Sequence, residues 1–140
     1  MASATSGVRI PVFGNGDIRD GETAGRRIRE SGVAGVVIGR GAMGNPWIFR
    51  EICQINRGET PRPVSIEERF DMIETHYDRM LAWKPEPIAV REMRKHIGWY
   101  LHGLRGASRA RAEINLAPTR GEVREILLRL KEDILKEDVG

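Results

Sequence analysis

Apolar residues recur along this chain with two different periods, and the change falls near residue 59. Over residues 8–58 they come in short runs separated by glycine. Arg9-Ile10-Pro11-Val12-Phe13 predicts a short strand running into Gly14-Asn15-Gly16-Asp17. Asp20 predicts the cap of a helix over 22–31, with Gly32 just past its end. Val33 to Ile38 is a second, β-branched run of the kind found in a parallel strand buried on both faces, and it leads into Gly39-Arg40-Gly41-Ala42. Asn45-Pro46 supplies an N-cap and a first-turn proline for a helix to about Arg57, which Gly58 stops. Strand, glycine loop and helix, twice over, predict two consecutive βα units.

Residues 59–140 carry helical periodicity and predict an all-α bundle. Ser65 and Glu68 form a capping box for a helix to about Trp83, with Ile66, Phe70, Ile73, Tyr77 and Met80 as its apolar stripe. Lys84-Pro85-Glu86-Pro87 breaks it. A second helix is predicted over about 88–104 and a shorter one over about 108–114, followed by a turn from Asn115 to Pro118. Thr119 and Glu122 form another capping box, and Val123, Ile126, Leu127, Leu130 and Ile134 follow at core spacing. Pro61 and Pro63 mark the seam between the two parts, since neither continues a helix or a central strand. The predicted fold class is therefore α/β plus all-α, after a small polar tail over residues 1–7.

The chain has 140 residues, enough for one ordinary domain or two small ones. Its 40% hydrophobic and 31% charged residues are the balance of a soluble globular protein. A net charge of +3 does not by itself announce a nucleic-acid partner, but nineteen arginines stand against four lysines. The guanidinium fork pairs bidentately with phosphate and stacks on bases; a GC-rich coding sequence enriches arginine equally well. Cys53 is the single cysteine, which excludes a disulfide framework and a cysteine metal cluster and suits a reducing cytoplasm. No apolar run approaches the length of a membrane span, so no membrane partner is expected.

Each glycine loop sits at the C-terminal end of a predicted strand. In a parallel βα barrel these ends emerge on one face, and the last two loops recurrently hold a phosphate. Glycine lets backbone N–H groups approach an anion, and Arg40 adds a permanent charge. Glycine turns after strands also occur as purely structural devices, and spacing alone leaves both readings open.

The segments Ile10-Pro11-Val12-Phe13-Gly14-Asn15-Gly16-Asp17-Ile18, Ile38-Gly39-Arg40-Gly41-Ala42 and Asn45-Pro46-Trp47-Ile48-Phe49 resemble the closing motifs of tRNA-dihydrouridine synthases, most closely the bacterial B-type branch. Phe13-Gly14 departs from the aliphatic-alanine pair expected there. Arg91-Glu92-Met93-Arg94-Lys95-His96-Ile97-Gly98-Trp99-Tyr100-Leu101 is similar to the family's C-terminal tRNA-binding helix. The resemblance runs from about residue 8 to the end. It implies the last two βα units of a (β/α)8 barrel over 8–58 and a helical tRNA-binding domain over 59–140. It also implies FMN as cofactor, reduced by NADPH, which in turn reduces a uridine of tRNA. By resemblance, Asn15, Gly16, Asp17, Gly39 and Arg40 contact the flavin phosphate. Asp17 is the odd member beside an anion, and reads as an acceptor for backbone N–H groups or a ribityl hydroxyl.

Placed on a helical wheel, Val90, Met93, Ile97, Tyr100, Leu101 and Leu104 form one apolar face of the 88–104 helix. Arg91, Arg94, Lys95, Gly98, His102 and Arg105 gather beside it, with Trp99 at the margin, and predict the RNA-binding surface. A solvated amphipathic face has the same pattern. Between 88 and 112 only Glu92 is acidic, whereas 91, 94, 95, 105, 109 and 111 are basic. Gly98 costs a helix interior about 1 kcal/mol relative to alanine, which either tight helix packing or close approach of RNA explains. His96 reads as structural or as a stacking group.

The family uses a cysteine from an earlier barrel loop as general acid. Cys53 falls in a helix after the phosphate loops and is expected to be a buried, non-catalytic thiol. A full barrel takes about 250 residues, so the chain reads as a fragment, inactive alone and prone to self-association through its cut sheet. Residues 1–7 read as an artificial or truncated start. Two other readings stand beside this one: a different FMN-dependent barrel oxidoreductase, and a non-catalytic RNA-binding module.

Overall fold

The computed structural model describes residues 9–137; the expected tail over residues 1–7 lies outside them. The chain divides into two compact units between Pro63 and Val64.

In the first unit, strand β1 (Phe13–Asn15) pairs in parallel with β2 (Gly35–Val37), Gly14 lying opposite Val36. Helix α1 (Gly21–Ser31) makes the crossover. The first strand begins four residues later than the apolar run predicts and ends two later: it includes Gly14 and Asn15, which the sequence reads as loop. Pro11 has no N–H to give a ladder, and pairing begins beyond it, where Val12 accepts from Ala34 N–H at 2.9 Å. Asp20 caps α1, accepting from Thr23 N–H at 2.6 Å, and Gly32 closes it in the left-handed conformation (φ 62°).

A single 3-10 turn, Arg40–Ala42, follows β2, and helix α2 (Ile48–Asn56) ends the unit. Asn45 does not cap α2 as expected. Its carbonyl accepts from Ile48 N–H in a preceding turn, and Trp47 holds the cap position with no side-chain hydrogen bond that caps the helix. Helices α1 and α2 meet closely, with Gly21 N–H donating to Glu51 Oε1 at 2.9 Å. Ile18, Ala24 and Ile48 form the buried centre, lined by Val36, Ile38, Ala42 and Ile52. Cys53, expected buried, is exposed. The buried side of α2 carries Ile48 and Ile52, four apart and so one above the other, which turns the residue after Ile52 outward.

The second unit is a four-helix bundle of α3 (Ile66–Leu81), α4 (Glu86–Tyr100), α5 (Ala107–Leu116) and α6 (Arg120–Glu137). Each helix packs on the next and α6 returns to α3. Ser65 Oγ caps α3 by accepting from Glu68 N–H, and Thr119 Oγ1 accepts from Glu122 N–H at the start of α6. The core is built from Phe70, Ile73 and Tyr77 of α3, Val90, Met93 and Ile97 of α4, Ile114 of α5, and Val123, Leu127 and Leu130 of α6. The predicted 88–104 helix is shifted at both ends. Pro87 sits in the first turn of α4, where a missing N–H costs nothing. At the other end the helix stops at Tyr100, and Gly103 takes a left-handed φ of 80°. Among the described residues no helix is long and apolar enough to cross a membrane.

Candidate functional sites

The C-terminal ends of β1 and β2 open on a cavity of about 630 Å³ lined by all five residues predicted for cofactor contact: Asn15, Gly16, Asp17, Gly39 and Arg40. The parallel pairing brings them together, because it puts both strand ends on the same side. The two loops also touch. A Cβ on Gly41 would lie 1.9 Å from the carbonyl oxygen of Ile18, so only glycine lets the second loop lie on the first. Asp17 has a φ of 37°. Its carboxylate holds Arg40 Nη2 at 3.1 Å, with both side chains largely in solvent. Such an exposed pair is worth about 0–1 kcal/mol and opens readily for a doubly charged anion. At Gly39 a Cβ would meet nothing within 4 Å, which leaves its backbone open to the cavity. Arg19 and Asn45 line the same space and were missed by the sequence reading. Arg19 belongs to the first loop and offers a second guanidinium; Asn45 had been spent on a helix cap. Two guanidinium groups, two side-chain amides and glycine backbone suit an anion bearing hydrogen-bonding oxygens.

In the helical unit, a shallow groove of about 490 Å³ runs between α4 and α5. Arg91, Arg94, Lys95, Gly98, Trp99 and His102 line it, joined by Arg111 and Asn115 of α5, which the wheel could not supply. Arg94 is partly committed to the fold, donating to the carbonyl of Ala117 at 3.2 Å. Lys95 lies over the Trp99 ring, 5.2 Å from its centroid. Arg91, Lys95 and Arg111 form no ion pair among the described residues; Arg111 bonds Ser108 Oγ at 3.3 Å. Arg105 is not part of the groove. The helix on which it was placed has already ended, and Arg105 pairs with Glu137 at 2.7 Å. Arg109 is likewise held by Asp133 and Glu113.

Behind the groove, the rings of His96 and His76 meet at 4.7 Å, tilted 58° to one another, and His76 Nδ1 lies 3.3 Å from the Tyr100 hydroxyl. His96 also meets Trp99 edge-on at 5.2 Å. Burial first, and then Arg79, holds His76 below the ordinary imidazole value; burial, then His76 and Lys95, does the same to His96. Both shifts favour the neutral form, and His96 buttresses Trp99 without charging the groove. Burial also pushes the Tyr77 hydroxyl up to about 12, so it stays a neutral core group.

Residues 3–138 match the family model for dihydrouridine synthase (Dus). The chain is 38% identical over 117 residues to a probable tRNA-dihydrouridine synthase of Rickettsia conorii, covering 83% of this chain and 35% of that protein. It is 40% identical over 122 residues to a probable tRNA-dihydrouridine synthase of Mycobacterium tuberculosis H37Rv, covering 86% and 31%. With tRNA-dihydrouridine synthase B of Pseudomonas aeruginosa the identity is 41% over 116 residues, covering 82% and 35%. The chain thus spans about a third of the length of these relatives. On the strength of a family match across nearly its whole length, this chain belongs to the dihydrouridine synthase family.

Proposed function

We propose that this chain is the C-terminal portion of an FMN-dependent tRNA-dihydrouridine synthase, with residues 8–58 closing a (β/α)8 barrel and 59–140 forming a tRNA-binding domain. The observation that carries the reading is the convergence of two glycine loops and Arg40 on one cavity at the ends of two parallel strands. The cavity fits the phosphate end of FMN: Gly16 and Gly39 offer backbone without side chains in the way, Arg40 and Arg19 offer charge, and Asn15 offers an amide. Asp17 suits a ribityl hydroxyl better than the phosphate. A bound flavin would supply the hydride-transfer chemistry between NADPH and a uridine of tRNA. This chain's residues anchor the cofactor's tail by charge and hydrogen bonding, and the α4–α5 groove binds the RNA. The flavin-ring contacts and the general acid come from other barrel loops; Cys53, on the outer side of α2, takes no part.

Alone, the chain should hold FMN weakly and show no NADPH-dependent reduction of uridine. It should also self-associate through the open edges of its two-stranded sheet, where Phe13 and Val37 are exposed. The deciding experiment is filter binding of tRNA at several salt concentrations, with circular dichroism as a control for folding. Affinity should fall by a slope near 0.7–0.9 per phosphate neutralised. Replacing Arg91 and Lys95 together by Ala should weaken binding and flatten that slope by up to about two units. An unchanged slope in a folded double variant would move the RNA surface elsewhere.

A further inference from the structure

Gly98 stands in the last turn of α4, where glycine still favours the helix less than alanine does, and helix packing does not require it. A Cβ built there would meet a single heavy atom of the surroundings within 4 Å, Cδ of Arg111 at 3.6 Å, an ordinary contact with a flexible side chain. The contrast with Gly21 of α1 is direct, since a Cβ at that position would lie 2.7 Å from Ile55. Gly21 is crowded by α2, a Cβ there also lying 3.2 Å from the Glu51 backbone; Gly98 is not crowded. Yet Gly98 lines the groove between α4 and α5, among side chains that are otherwise long and cationic. Arg91 and Lys95 stand one helical turn apart on one wall, a step of roughly 6 Å, and Arg111 stands on the other. The missing side chain leaves a bare stretch of helix backbone as the floor between them.

We propose that Gly98 is a seat for the ribose–phosphate backbone of RNA, which crosses α4 there with Lys95 and Arg111 flanking its phosphates and Trp99 at its edge. This rests on the reading of the groove as an RNA surface and adds where the strand comes closest to the protein. A chain bearing one negative charge per nucleotide matches cations on both walls, and its backbone is slim enough to use the gap that a side chain would close.

The test is tRNA transcript binding by the whole chain and two variants, with thermal unfolding measured on each. Gly98→Ala should raise Tm by up to about 4 °C while weakening tRNA binding severalfold. A purely structural glycine would give a lower Tm instead, and that result would overturn the proposal. Gly98→Leu, also a good helix former, should weaken binding by about tenfold or more. Wild-type affinity in folded Gly98→Leu would overturn the seat. If the Arg91/Lys95 double variant still lost affinity, the RNA reading of the groove would stand without it. If the double variant also bound normally, it is the RNA reading that fails, and the seat with it. Poly-L-glutamate bound by the wild type and lost in Gly98→Leu as fully as tRNA would make the occupant an acidic polypeptide and overturn the RNA strand.

Discussion

The two units of this chain use similar apolar residues to very different effect. In the helical unit, four amphipathic helices turn their stripes on one another, and Ile73, Met93, Ile97 and Leu101 are essentially sealed from water. Among the described residues of the first unit the buried apolar ones are Ile18, Ala24, Val33, Trp47 and Ile48, while Ile10 (73% exposed), Phe13 (61%) and Phe49 (51%) face solvent. A helix satisfies its backbone internally and needs only neighbours for its stripe. A parallel strand needs neighbours on both edges and cover on both faces, and a sheet of two strands supplies neither. The lesson is that the helical unit holds a closed core of its own, whereas the βα unit presents the surfaces on which a larger sheet would be built.

The largest expected effect tests the closed core. Met93→Ala removes a fully buried side chain and should cost the helical unit about 2–5 kcal/mol, seen as a fall in the urea midpoint. Phe13→Ser, by contrast, should leave stability within about 0.5 kcal/mol while reducing self-association in sedimentation runs. Comparable destabilisation by both would erase the distinction between the units.

Gly41→Ala comes next. The added methyl collides with the backbone carbonyl of Ile18, and relieving such a clash costs about 1–3 kcal/mol. Amide exchange in β1, β2 and α1 should accelerate, and, if the cavity holds FMN as proposed, flavin binding should weaken. Unchanged exchange in those three elements would mean that the loops separate without penalty.

Helix caps are local, so they should not respect the contrast between the units. Asp20→Ala and Ser65→Ala each remove a side-chain acceptor for one backbone N–H, and each should cost about 1 kcal/mol. Loss of exchange protection at Thr23 and Glu68 respectively is the readout. The Thr23 N–H bond holds the Asp20 carboxyl below its ordinary 3.8. Its capping contribution is therefore complete at neutral pH and is lost as pH falls through that lowered value.

The smallest effect concerns His76 and His96. Burial holds both below 6.5 in the folded chain, and the groups around them are Arg79, Lys84, Lys95, Glu92 and the Tyr100 hydroxyl. The unfolded chain binds protons more readily than the folded one once pH drops below about 6.5. Stability is therefore fully present above that value and is lost as pH falls through the lowered folded values. Urea midpoints at pH 8, 6 and 5 should decline stepwise, and less so in His96→Gln. A flat profile for the wild type would show that the ring pair carries no such linkage.

By itself, the sequence determined whatever depends on neighbours within a turn or two. Asp20, Ser65 and Thr119 cap helices because an acceptor three residues ahead of an N–H is a local arrangement. The α4 core face of Val90, Met93, Ile97, Tyr100 and Leu101 follows from helical spacing alone. The glycine loops were legible as candidate anion contacts because glycine and arginine sit directly after β-branched runs. Contacts across the fold were decided elsewhere. Parallel pairing of β1 with β2 is what places Arg19 and Asn45 in the same cavity as Arg40. The packing of α5 on α4 brings Arg111 and Asn115 to the groove, while the end of α4 at Tyr100 sends Arg105 to Glu137. Gly98 is the clearest case: its position on the wheel was plain in the sequence. Whether a methyl would fit there depended on how near another helix stood, and that distance is set by the side chains of both helices together.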